Sequence, residues 1–294
     1  MCLIAWAVGL SSRWPLVIAA NRDEYRARPT VPLTTWTTAS GQTIVSGRDA
    51  RAGGTWMGMT PAGRVAFLTN VREPGVADAS WRSRGELVTR WLAAQDASAP
   101  ELFDALQSDA GRGVAYGGFN LVVGDVVSGA WHWGSNRLNG AAAAPAQWPS
   151  HPLPPGIYGL SNAALNTPWP KTTQLTAALA DALARCDTQA QLEATIWSAL
   201  ASRERCSVQQ LPATGVPQAV ELALSSVCVD VPEMDYGTRS STVLIATAPD
   251  APAYETASGS MPWDVSVQEH THAAGAPPLV QRVVMQWSGG RSGV

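Results

Sequence analysis

Met1-Cys2-Leu3-Ile4-Ala5-Trp6-Ala7-Val8 opens the chain, and Leu16-Val17-Ile18-Ala19-Ala20-Asn21-Arg22-Asp23-Glu24 follows it across the turn-forming stretch Gly9-Leu10-Ser11-Ser12-Arg13-Trp14-Pro15. Both runs are apolar and β-prone up to the polar cluster that ends the second, which predicts an antiparallel hairpin. Pairing Val8 with Leu16 sets Cys2 opposite Arg22, within two residues, on strands about 5 Å apart. The Asn21-Arg22-Asp23-Glu24 cluster then lies beside residue 2. A plain alternative is a buried first strand that happens to begin with cysteine, capped by charges that merely end the second.

A cysteine in second place becomes the first residue once the initiator methionine is removed, and small second residues permit that removal. Thiol and α-amine then sit on one residue. A free thiol, pKa about 8.5, is a few per cent thiolate at neutral pH, so a cysteine nucleophile gains from a nearby base. The α-amine, pKa about 7.7 to 8.0, is roughly one-tenth unprotonated at pH 7 and can serve as that base, directly or through one water.

The whole chain narrows the alternatives. Its 294 residues, 46% apolar, suffice for a substantial core. A net charge of -3 carries no polycationic footprint, so no nucleic-acid partner is expected. Lys171 is the single lysine, which argues against a lysine nucleophile. No window approaches the ~20 apolar residues of a membrane span, and the start lacks a secretory pattern, so no integral membrane segment and a cytoplasmic location are expected. Cys2, Cys186, Cys206 and Cys228 show no CxxC spacing, and a metal site is not expected.

Further along, Gly53-Gly54-Thr55-Trp56-Met57-Gly58-Met59, Thr60-Pro61-Ala62-Gly63 and Arg64-Val65-Ala66-Phe67-Leu68-Thr69-Asn70 predict a second hairpin. Pairing Met59 with Arg64 brings Asn70 near Gly53 and Gly54. An amide beside open backbone is the right type for an oxyanion donor, and equally for a turn former. Ser83-Arg84-Gly85-Glu86 and Ser98-Ala99-Pro100-Glu101 match capping boxes, each followed by apolar residues at helical spacing. Strands are expected at Phe119–Val123 and Gly129–Trp133, where His132 faces outward. Residues 139–156 read as a loop, Ile157–Asn162 as a short strand, and Lys171–Arg185 and Gln189–Ala201 as helices. After an irregular stretch, Thr242–Ala246 is a strand. From Ala248 onward the signal fades, and a mobile tail is expected from about residue 263; His270 and His272 could chelate a metal only on an ordered strand, and a solvated loop is expected instead. Antiparallel-looking strands separated by helical pairs predict an α+β layered domain over residues 1–294.

Taken together, Met1-Cys2, Asn21-Arg22-Asp23-Glu24, Gly53-Gly54-Thr55-Trp56-Met57-Gly58, Leu68-Thr69-Asn70-Val71-Arg72, Gly118-Phe119-Asn120-Leu121, Tyr158-Gly159-Leu160-Ser161-Asn162, Thr167-Pro168-Trp169-Pro170-Lys171 and Thr238-Arg239-Ser240-Ser241-Thr242 resemble the NRDE family, whose eukaryotic members include the transport and Golgi organisation proteins. The resemblance implies a four-layer αββα fold like that of the N-terminal-nucleophile hydrolases, with mature Cys2 attacking an amide or similar acyl bond. Carried over from the cysteine acylases of that group, the nucleophile falls on Cys2, its aspartate on Asp23, oxyanion amides on Asn70 and Asn162 and a late arginine on Arg239. Asn21, Gly53, Gly54, Trp56 and Asn120 are the implied substrate-binding positions. Those acylases carry an arginine where this chain has Ala20, so Arg22 stands two residues late. Either a bulge restores it to the thiol or it serves an anionic substrate or an ion pair.

The implied partner is a small-molecule substrate, and no cofactor is required. Family members have also been linked to haem trafficking and to acyl-CoA or lipid homeostasis. A non-catalytic carrier of haem or an acyl group on the same scaffold is therefore the alternative.

Overall fold

The first hairpin forms in the expected register: β1 (Cys2–Val8) pairs antiparallel with β2 (Leu16–Tyr25), Val8 opposite Leu16 and Cys2 opposite Arg22. The structure is a computed structural model and describes residues 2–75, 78, 80–94, 96–138, 141–249, 262–273 and 275–288, except the Cys2 side chain. Around the hairpin the chain continues through β3 (Thr30–Thr37), β4 (Thr43–Asp49), β5 (Met57–Met59), β6 (Arg64–Asn70), α1 (Gly85–Ala93), α2 (Ala99–Gly111), β7 (Phe119–Asp125) and β8 (Ala130–Ser135). Short strands β9 (Arg137–Leu138), β10 (Ala141–Ala142) and β11 (Ser150–Pro152) precede β12 (Gly156–Leu160), α3 (Pro170–Arg185), α4 (Gln189–Leu200) and α5 (Gln218–Ala223). The last strands are β13 (Asp230–Val231), β14 (Tyr236–Thr247), β15 (Trp263–Ala273) and β16 (Ala276–Trp287).

Two seven-stranded antiparallel sheets result, one ordered β12-β1-β2-β14-β15-β16 with β13 on β14, the other β11-β8-β7-β6-β5-β4-β3. Strand alternation sends Ile4, Trp6 and Ile18 to one face, where they meet Phe67, Val122 and Trp131 of the other sheet. Leu3, Ala5 and Val17 point the opposite way and pack under α3 and α4 through Leu175, Leu179 and Ile196. On the second sheet, Leu68 and Leu121 pack under Leu87, Trp91 and Phe103 of α1 and α2. The layering is αββα, as expected. Covering both faces of the central strands explains why β1 and the first half of β2 are almost uninterrupted apolar runs. No helix among the described residues is long and apolar enough to cross a membrane.

Several expectations are corrected. The second hairpin is offset by one, with Met59 opposite Val65, because the turn closes through Thr60 N to Arg64 O and so sets Arg64 against Thr60. The Ser98–Glu101 capping box is present, whereas the first helix has Arg84 at its N-cap without a side-chain bond. His132 is buried, its Nε2 2.7 Å from Ser150 Oγ beneath β11. The stretch expected as a tail from residue 263 forms β15 and β16 as far as Trp287. Trp263 pairs with Trp287, Val265 and Val267 enter the core, and Trp287 Nε1 donates to Thr60 O of the other sheet at 3.0 Å. Residues 289–294 lie outside the described residues. His270 and His272 are strand residues, one stacked on Trp197 with centroids 3.8 Å apart, the other 2.8 Å from Ser241 Oγ.

Glu269 interrupts the apolar face of β15 and disguises it as a polar segment, yet it is 2% exposed. Leu33 N donates to its Oε1 at 2.8 Å and Thr271 Oγ1 at 3.3 Å, so the side chain ties β15 to β3 of the facing sheet. Burial holds its carboxyl above the usual carboxylate range, against the pull of these hydrogen bonds and of Arg22. A raised native pKa means that the fold binds this proton more tightly than the unfolded chain does. The stability it contributes is therefore full below about pH 4.3, the unfolded value, and is lost as pH rises through the native one. Glu269→Gln keeps an acceptor for Leu33 and removes the titration. In urea denaturation the variant should match the parent near pH 4 and exceed it at pH 8; a difference constant across that range would show that Glu269 does not titrate on folding.

Candidate active site

The free end of the first hairpin opens onto a cavity of about 680 Å³ lined by Arg22, Asp23, Trp56, Asn70 and Arg72, with Trp81 and Arg82 among the residues of its rim. Cys2 is placed there by backbone register alone, as the residue opposite Arg22. The β1–β2 ladder is regular, so no bulge is needed to set Arg22 beside residue 2. The irregularity in this part of the sheet lies instead between Thr238 and Ser240 of β14, at Arg239.

Alternation along β2 puts Arg22 on the inter-sheet face with Ile18 and Ala20, and Asn21 and Asp23 on the helix-covered face. Arg22 is 6% exposed, its guanidinium 4.1 Å from the centre of the Trp56 ring, and its Nη1 donates to Thr30 Oγ1 at 3.2 Å. Trp56 lies flat over Gly47, where a Cβ would come within 2.5 Å of the indole. The glycine is the reason the ring can back the guanidinium. An arginine stacked on an aromatic face supplies a positive field fixed in place.

Asp23 is fully buried. Burial pushes its carboxyl up from the ordinary range, while Lys171, with Nζ 4.0 Å from Oδ2, and Thr238, whose Oγ1 donates to Oδ1 at 2.7 Å, pull it back down. Lys171 stands in the first turn of α3, where the helix dipole disfavours a cation. Its burial there is compensated by Asp23. Asn70 ends β6 half-buried on the cavity wall, and its carbonyl oxygen accepts a bond from Asn162 Nδ2 at 2.8 Å.

The remaining sequence-predicted positions are built into the frame and do not line the cavity. Asn162 is 1% exposed and spends its amide on Asn70 O, so it positions Asn70. Arg239 Nη1 donates to the carbonyls of Tyr25, Arg26 and Arg28 at 2.9, 2.6 and 3.2 Å, clamping the chain just past β2. Asn21 Nδ2 donates to Leu200 O and Val227 O, each at 2.9 Å, and Asn120 Nδ2 to Thr69 Oγ1 and Ala163 O. Gly53 has φ +77°, a turn conformation that favours glycine. Gly54 touches the backbone of Gly85, where a Cβ would come within 2.5 Å. Gly54 thus serves the approach of α1 to the sheet, and Gly53 serves the turn. No cluster of three or more metal-ligating side chains occurs among the described residues.

Arg72 on this wall and Lys171 behind it are not among the site residues that the sequence suggests. Both fall inside motifs quoted above.

A sequence model described as Transport and Golgi organisation 2 matches residues 1–254. The Bos taurus Transport and Golgi organization protein 2 homolog is 34% identical over 245 residues, covering 79% of this chain and 82% of the bovine one. The Homo sapiens homolog is 33% identical over 243 residues with the same coverage. Among solved structures, the Caenorhabditis elegans ortholog of N-acylethanolamine-hydrolyzing acid amidase matches at 15% identity and TM-score 0.48, covering 82% of this chain and 92% of that one. A mutant conjugated bile acid hydrolase from Clostridium perfringens matches at 9% identity and TM-score 0.37, covering 97% and 92%.

Proposed function

We propose that this chain, which belongs to the Transport and Golgi organisation 2 family, acts after loss of Met1 as a cysteine N-terminal-nucleophile amidohydrolase on an acyl substrate held in the cavity. One observation carries the reading: the regular β1–β2 register puts residue 2 opposite Arg22, which lines the cavity together with Asp23 and Asn70. In this reading the α-amine of Cys2 takes the thiol proton, and the thiolate, favoured by the Arg22 charge, attacks the carbonyl carbon. The carbonyl oxygen becomes an oxyanion that accepts a hydrogen bond from Asn70 Nδ2. On collapse the C–N bond breaks, the leaving amine takes the proton from the α-ammonium, and a thioester remains. Water, deprotonated by the same amine, then releases the acid. Asp23 beneath the strand end stabilises the ammonium form.

Intact mass and competitive iodoacetamide labelling test this. Cys228 is buried with its thiol pushed up by burial, and Cys186 and Cys206 are free and half-buried, so they give internal references. The mature mass should lack Met1, and Cys2 should label fastest. Retained Met1, or Cys2 labelling no faster than Cys186, ends the hydrolase reading.

A second reading, a haem or acyl carrier, is favoured by the cavity itself, which at about 680 Å³ with Trp56 and Trp81 on its wall exceeds what a small amide needs. A Soret shift on haemin titration that disappears in Cys2→Ala would select it.

A further inference from the structure

We infer that Lys171 is a positioning residue of this site: by pairing with Asp23 it relieves the α-amine of mature Cys2 of serving as that carboxylate's counter-ion, and so leaves the amine neutral and able to act as the base. The inference rests on the reading above and concerns how its base is kept ready. Lys171 is the second residue of α3, which Pro170 opens. Its side chain is 3% exposed, and its Nζ lies 4.0 Å from Oδ2 of Asp23, whose side chain is 1% exposed. A buried cation at the positive end of a helix is costly twice over, through lost hydration and through the dipole. Asp23 stands one step beyond Arg22, the residue that the β1–β2 ladder pairs with Cys2. The nitrogen of residue 2 lies on the side of Cys2 towards the level of Asp23, one strand spacing of about 5 Å away.

The balance of buried charge decides what the lysine does. Four segments face Asp23: α3 with Lys171, the chain beyond β6 with Arg72, β14 with Thr238, and the chain ahead of β13 with Cys228. Thr238 donates to Oδ1, and both cations pull the carboxyl down against its burial. Arg72 is already paired with Glu221, each side chain 3% exposed. On the other face of β2, Arg22 has Glu24 Oε2 3.9 Å from its Nη2. Behind the strand end, two buried acids, Asp23 and Glu221, thus stand against two buried cations, Lys171 and Arg72, and the cluster is neutral before the amine is counted. A protonated amine there is a third cation with no acid of its own, which favours the neutral form. With Asp23 alone the ammonium would be its counter-ion, and the amine would hold its proton too tightly to serve as a base. With Lys171 in place the ammonium forms as the thiol gives up its proton, so ammonium and thiolate arise together without net charge.

Because Lys171 is the single lysine, the α-amine is the other primary amine of the mature protein, which makes the test direct. Trace acetylation with acetic anhydride across pH 5 to 10, scored on the N-terminal peptide by mass spectrometry, titrates that amine in Cys2→Ala without interference from the thiol. Lys171→Met in this background should raise the midpoint by about one pH unit or more, the effect of an opposite charge a few ångströms away that is no longer neutralised. Lys171→Met/Asp23→Asn should bring it back to within about half a pH unit of the parent. In the protein that keeps Cys2, the acidic limb of kcat/KM for an activated acyl ester should move with the amine. An unchanged midpoint in Lys171→Met, or the same rise in the double variant, overturns the inference. So does a Lys171→Met chain that fails to fold where the double variant folds, because the amine then cannot take the lysine's place. A slower rate with an unshifted pH profile gives Lys171 a structural role only. The expected midpoint shifts in a protein that turns over no acyl probe would end the hydrolase reading and leave the control of the amine by Lys171 and Asp23 standing.

Discussion

Cys2→Ala is expected to abolish turnover of an activated acyl ester, p-nitrophenyl octanoate being a suitable probe, by on the order of 10⁴-fold or more. The size follows from what is removed. Without the thiol no covalent intermediate forms, and the bound ester meets only water. Asn70→Ala should fall far short of that, by about 10² to 10³-fold in kcat, because one oxyanion donor supplies about 2.7 to 4 kcal/mol while the nucleophile and its base remain. The ordering discriminates more sharply than either number. A carrier that hydrolyses the ester adventitiously at a surface cysteine would be indifferent to Asn70. Retention of more than a few per cent of the rate by Cys2→Ala, in a sample whose circular dichroism melt matches the parent, would remove Cys2 from the chemistry.

The part of this site legible in the sequence is the part written in strand periodicity. Counting from Val8 and Leu16 placed Cys2 opposite Arg22, and the ladder is regular from end to end. The register of the second hairpin differs by one residue from the expected pairing because its turn runs from Thr60 to Arg64. Arg64 is the first residue of β6, pairing with Asp125 of β7, and its guanidinium reaches the carbonyls closing α1, bonding Trp91 O at 3.0 Å and Ala94 O at 2.5 Å. The last two strands were missed because a buried glutamate sits where an apolar residue would have completed the alternation of Val265 and Val267. Side-chain commitments were illegible for a different reason. Asn162, Asn120, Asn21 and Arg239 carry the residue types of an active site. What removes them from the cavity wall is a carbonyl acceptor each finds on a distant segment. Conversely, the burial of Arg72 is illegible because the acid that pairs with it, Glu221, lies far along the chain.

Trp6→Ala is expected to destabilise the fold by about 3 to 5 kcal/mol, with Trp6→Phe costing about 1 kcal/mol or less. Trp6 stands in the middle of β1, fully buried, edge-on to Phe67 of the facing sheet with centroids 4.9 Å apart and stacked on Tyr158 of β12 at 5.2 Å. Truncation opens a void where β1, β12 and the second sheet meet, and strands paired on both sides cannot close over it. Phenylalanine loses volume but also removes a liability: the indole Nε1 is buried with no hydrogen-bond partner among the described residues, and such a donor costs about 1 to 3 kcal/mol. The two losses offset. Urea denaturation read by far-ultraviolet circular dichroism measures both variants, and equal destabilisation by Phe and Ala would mean that ring size, not the orphaned N–H, governs the site. The outcome bears on function through the same strand. β1 begins at Cys2, four residues before Trp6, so loosening of the β1–β2 ladder reaches the pairing of Cys2 with Arg22 directly. At a denaturant concentration where it stays folded, Trp6→Ala should therefore also lose the enhanced iodoacetamide reactivity of Cys2, and Trp6→Phe should keep it.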